Sequence, residues 1–270
     1  SSSTTGAVNT AIGAQALLTN SSGSSNAAVG YQALRMNTTG DSNIAVGMRS
    51  LENNTTASNN TAVGRSALEN NTTGGNNVAI GSYALDANTT SNNLVAIGYG
   101  ALTNSTGGAN VAVGKDALEA NTSGVQNIAI GTDALTANTT ANNNTAVGTD
   151  SLKANTTGSS NTAVGAIALG DNQTGGNNNA FGYGALHAST VSDNNAFGSF
   201  ALHNNTTGTN NTGFGHRVII SNTTGASNVA VGSYALDANT TASNNTAVGY
   251  NSLGANTTGT PNTAVGANAL

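Results

Sequence analysis

Asn161-Thr162-Ala163-Val164-Gly165-Ala166-Ile167-Ala168-Leu169 is the stretch that decides the fold. It places β-branched residues at alternate positions, then a glycine, then an alanine–leucine pair. The same pattern stands 17 residues earlier as Asn144-Thr145-Ala146-Val147-Gly148 and recurs along the whole chain. With that glycine as position 0, sixteen such glycines run from Gly13 to Gly266. Thirteen of the fifteen spacings are 17 and two are 16. A fixed period of this size is the signature of stacked repeats, each touching its neighbours.

The fixed positions carry the physics. Position −1 is always Val, Ile or Phe, and position +4 is Leu in every repeat but one, where it is Ile219. Positions −2 and +3 are nearly always Ala. Every charged residue falls outside these four positions. Hydrophobic and confined to one slot each, positions −1 and +4 are expected to line a shared dry interior, as a ladder that includes Ile12, Leu17, Val63, Leu68, Ile130 and Leu135. Phe181, Phe197 and Phe214 fill position −1 in three successive repeats and should stack as an aromatic ladder.

A helix would need apolar residues at i, i+3, i+4 and i+7, which the unit lacks. Its Asn-Thr-Thr-Gly segment is turn chemistry. The chain is therefore expected to be all-β: a parallel β-solenoid of about sixteen coils, each with two short strands and two bends. At ~4.8 Å per coil the stack would be roughly 75–80 Å long. Asn at position −4 (Leu94 is the exception) and Asn opening the Asn-Thr-Thr-Gly turn should form two ladders of stacked amides. The sequence reads as one repeat array over residues 1–270, with no capping segment at either end, and so as a piece of a longer fibre.

Composition bounds the function. Only 6% of residues are charged and the net charge is −5, where soluble domains have about 25% charged residues. No basic footprint for nucleic acid exists and no apolar run reaches the ~18 residues of a membrane-inserted span. There is no cysteine, and no cofactor motif is present. Glycine pairs such as Gly74-Gly75 lie in repeating turns and lack the Lys-Ser/Thr of a phosphate loop. Three histidines, His187, His203 and His216, are too few for a metal site or a catalytic triad, although His187 and His203 share a position in adjacent repeats. Asp86 and Asp237 recur in identical Ser-Tyr-Ala-Leu-Asp-Ala-Asn-Thr-Thr copies and read as solvated coil positions. No enzyme is expected.

Asn-x-Ser/Thr triplets open the recurring turn at Asn37, Asn54, Asn71, Asn88, Asn104, Asn121, Asn138, Asn155, Asn172, Asn205, Asn222, Asn239 and Asn256. They read either as a row of glycan attachment sites or, more simply, as the turn the coil requires. The thin core per coil, together with Ala and Gly suited to close backbone approach, points to self-association, with a homotrimer as the expected state.

Asn161 to Leu169 resembles the Asn-x-Ala-Val/Ile-Gly repeats in the heads of YadA-like trimeric autotransporter adhesins. Ala28 to Leu34, Ala-Val-Gly-Tyr-Gln-Ala-Leu, is similar to the repeat arrays of phage and bacterial tail-fibre-like proteins. The resemblance covers essentially the whole chain. It implies a trimeric, left-handed parallel β-roll, extracellular or on a virion, serving as a spacer or in attachment to a cell-surface glycan. A surface-, glycan- or ice-binding solenoid is the alternative; Thr145 and Thr162 belong to a row that elsewhere becomes Val78, Val95, Val111 and Ile128.

Overall fold

The computed structural model describes residues 5–270. It is all-β, with sixteen three-residue strands and no helix among the described residues. The chain falls into two compact units: residues through Asp133 with Asn138–Thr140, and Ala134–Ala137 with Ala141–Leu270. The first carries β1 (Thr10–Ile12) to β8 (Ile128–Ile130), the second β9 (Thr145–Val147) to β16 (Thr263–Val265). Within each unit every strand pairs in parallel with the next, position for position. Each unit is thus a β-solenoid with one repeat per coil, and the 16-residue repeats keep the register: Val95 pairs with Val111 and Asn179 with Asn195.

Each coil holds one strand, not two. Past the glycine the backbone runs through chained reverse turns: Ser50 N–H donates to Gly47 O, Glu52 N–H to Arg49 O and Asn54 N–H to Leu51 O. Arg49 (φ 59°) and Leu51 (φ 49°) are left-handed, and position +4 is so in every coil. The reason is geometric. Positions +3 and +4 both point inward, Ala67 and Leu68 being fully buried, whereas an extended strand sends neighbours to opposite faces. A left-handed residue turns the second side chain back inside. That conformation costs a leucine roughly 1–2 kcal/mol, offset by its full burial, worth about 1.5–3 kcal/mol.

Position 0 must be glycine. Its φ lies at 134° in Gly81, and a Cβ there would stand 2.3 Å from the carbonyl oxygen of Gly98 in the next coil. The close approach that glycine serves is therefore between successive coils of one chain.

The interior differs from the sequence expectation in one respect. Leu68 and Leu135 are fully buried, and Leu17, in the first coil, is half-buried. Position −1, in contrast, faces outward: Ile12 is 60% exposed, Ile130 40% and Phe214 42%, while Val63, Phe181 and Phe197 are half-exposed. Alternation along the strand explains this. Ala at −2 is buried in the coils that follow the first, as at Ala28, Ala62 and Ala163, so −3 and −1 must point away. Positions −2 and +3 face each other across a narrow interior; Ser252 Oγ, at +3, donates to Ala264 O, at −2 (3.2 Å). The core is alanine and leucine, completed by asparagine.

Candidate interaction face and the asparagine ladders

The asparagines at the recurring turn are inside. Asn37, Asn54, Asn71, Asn88, Asn121, Asn138, Asn155, Asn222 and Asn239 are fully buried. Asn37 Nδ2 donates to Asn20 Oδ1 (2.9 Å), Asn54 Nδ2 to Asn37 Oδ1 (2.9 Å) and Asn71 Nδ2 to Asn54 Oδ1 (2.9 Å). Each also caps the carbonyl three residues on, as Asn54 Nδ2 does at Ala57 O (3.0 Å). The second ladder, at −4, works differently: Asn26 Oδ1 accepts the backbone N–H of Asn43 (2.9 Å), and Asn43 Nδ2 donates to Ala57 O (2.9 Å). The two ladders thus converge on one carbonyl per coil. Buried amides satisfied in this way replace the hydrophobic mass the coil lacks.

This corrects the glycan reading of those nine positions. The nitrogen that a glycan would occupy is buried and already donating. Asn256 is half-buried, its Nδ2 shared between Asn239 Oδ1 (3.3 Å) and Gly259 O (3.1 Å). Asn104 is exposed because it sits one position early, at +6. In both 16-residue coils a serine takes the ladder position. Ser105 Oγ donates to Gly107 O, two residues on instead of three (3.1 Å), which fits a turn one residue shorter. The Asn-Asn-Thr triplets add exposed asparagines that sequence reading passed over, among them Asn59, Asn70, Asn204, Asn210 and Asn244. In each pair the first amide faces solvent and the second belongs to a ladder.

The outward strand face carries the opposite chemistry. Rows −3 and −1 contain no charged residue in any of the sixteen coils. In the first unit they hold Thr, Ala, Val and Ile. In the second, Phe181 and Phe197 stack at 4.8 Å and 7°, and Phe197 and Phe214 at 4.5 Å and 5°. The aromatic ladder forms as expected, but on the outside.

Charges gather on the turn half of the coil. Glu52, buried, is held by Arg35 (2.7 Å) and Arg49 (2.6 Å), and Arg49 also reaches Glu69 (2.6 Å). Glu52 strengthens the Arg49 guanidinium's hold on its proton, chiefly through their hydrogen bond. Next to this network a groove of about 320 Å³ opens over Gly100, between Tyr83 and Tyr99, with Asp86, Asp116 and Glu119 on its walls. Burial, and then the Glu69 charge, raise the Asp86 carboxyl above its ordinary range. Asp237, in the second unit, is raised by burial as well.

His187 and His203 stack at 5.1 Å, as their shared position implies. His203 Nδ1 lies 2.8 Å from Gly184 O and His187 Nδ1 lies 3.5 Å from Asp171. Among the described residues no three His, Cys, Asp or Glu side chains come together around a possible metal position. Among the same residues no helix is long and apolar enough to cross a membrane.

No protein-family model matches the chain, and a search of curated proteins finds no significant relative.

Proposed function

We propose that the chain is a structural shaft of an extracellular fibre, of the adhesin or tail-fibre kind, whose strand face is covered by further copies of itself. One observation carries this reading. The molecule keeps its amides inside and its Val, Ile and Phe rows outside, the reverse of what a solitary soluble chain gains from burial. A charged partner would lose hydration against an uncharged face and recover nothing for it. Another copy offers an uncharged face of the same coil spacing, so every coil finds an equivalent one. A trimer around the stack axis, left-handed as in the resembling repeats, covers the face of each copy. The exposed turns are then left for contact with a cell-surface glycan at the end or flank of the fibre. No catalytic step is assigned to it.

Sedimentation equilibrium of the intact chain tests this, with electron microscopy of the same sample. The reading requires an oligomer and a rod with rotational symmetry in cross-section. A monomer at every concentration contradicts it. Ice-growth inhibition by such a monomer would favour the alternative, in which the uncharged face, with Thr61, Thr145 and Thr162 beside their Val rows, meets an ice surface directly.

A further inference from the structure

The Val/Ile row poses a problem for any self-association through the strand face. Each coil repeats its neighbour, so sliding one copy past another by one coil replaces Val with Val. Such a face leaves register weakly specified. In the second unit, row −1 reads Val147, Val164, Phe181, Phe197, Phe214, Val231, Val248 and Val265. Its one interruption is three consecutive phenylalanines.

We propose that Phe181, Phe197 and Phe214 are the register key of self-association, bringing Phe197 of one copy level with Phe197 of the next. This rests on the fibre reading above. The three rings are nearly parallel and in contact, so they form one ridge. Their faces cover one another and their edges point outward. A sugar ring, which stacks on an exposed aromatic face, finds none there. Another aromatic ridge meets those edges in the favourable edge-to-face manner. The triplet is symmetric about Phe197, so the level of that residue is fixed whether the copies run in the same or in opposite directions. A slip of one coil sets a phenylalanine against a valine at each end of the ridge. A slip of three removes every aromatic contact. A single polar residue fixes coiled-coil register by the same logic of breaking an otherwise uniform seam.

The chain has no cysteine, which makes the test direct. Single variants Asn195→Cys, in the coil of Phe197, and Thr246→Cys, three coils on, are made in the full chain. They are mixed, allowed to assemble and oxidised. The expected result is disulfide joining 195 to 195 in preference to 195 to 246, by about tenfold, the discrimination that one or two aromatic contacts carry. With Phe181→Val, Phe197→Val and Phe214→Val added, the coil fold (checked by thermal melting) and the oligomer are retained while the preference disappears. A preference unchanged by the valines overturns the proposal, as does loss of the oligomer with them, which would make the ridge a source of affinity instead of register. A parent chain that is monomeric refutes the fibre reading itself, an outcome distinct from either.

Discussion

Gly213 and Val218 share one space: a Cβ on Gly213 would lie 2.9 Å from Cγ1 of Val218 and 3.5 Å from Cδ1 of Leu202. Elsewhere the same two positions, −2 and +3, are nearly always Ala and Ala. One coil has moved a methyl-sized volume across the interior. Gly213→Ala should therefore overpack the coil and destabilise the chain by about 1–3 kcal/mol. Val218→Ala in the same chain should recover most of the loss. Denaturant midpoints of the two single variants and the double variant check this; additive effects would mean the two residues do not face each other.

Position +4 is core and position −1 is face. Leu68→Ala should cost about 2–5 kcal/mol of folding stability, since Leu68 is fully buried. Ile80→Ala, at a residue 39% exposed, should leave the unfolding midpoint of the dissociated chain nearly unchanged and weaken association instead. Chemical denaturation and sedimentation of both variants separate the two effects.

The ladder depends on amides. Asn54→Asp would replace a donating nitrogen by an acceptor facing Asn37 Oδ1 and Ala57 O, both within 3.0 Å of Asn54 Nδ2. The new carboxyl is held protonated by burial and by these oxygens, so its folded pKa rises above the unfolded value of about 3.9. A raised acid loses stability as pH climbs past the unfolded value. The variant should be near normal below about pH 4 and clearly destabilised at pH 7. Melting curves at the two pH values decide; equal losses would mean that the amide is not buried in a donor role.

Asp86 follows the same sign in the natural chain. Its pKa is raised by desolvation first and Glu69 second, so the folded state is less stable with it ionised. Asp86→Asn should raise the melting temperature at pH 7, and the gain should fade as pH falls towards the unfolded carboxylate value. Asp237→Asn should behave likewise, desolvation being its main cause too. A gain that grows on acidification would reverse the assigned cause.

The period, the parallel stacking, the leucine ladder and both amide ladders were legible in the sequence because each occupies a fixed position. The direction of position −1 was not, because hydrophobicity was read as burial. The variation at that position held the better signal. A site that accepts valine, isoleucine and phenylalanine without adjustment, as Val113, Ile97 and Phe181 show, is not packed in a narrow interior. Ala62 and its equivalents are uniformly small because space there is short. The adjacent pair Ala67-Leu68 likewise argued against a second strand, since two neighbours cannot share one face of an extended chain. The glycan reading of Asn37 failed because the triplet describes chemistry, and burial decides whether that chemistry can be reached.

The account stands on an interior closed by amides and a β-branched face turned out. Hydrogen exchange of asparagine side-chain amides, followed by NMR in asparagine-labelled chain, tests it most directly. The account predicts slow exchange at the two ladder positions of the inner coils, Asn54, Asn60, Asn71 and Asn77 among them, and fast exchange at Asn59 and Asn70 beside them. Exchange at the ladder amides as fast as at their exposed neighbours would contradict it.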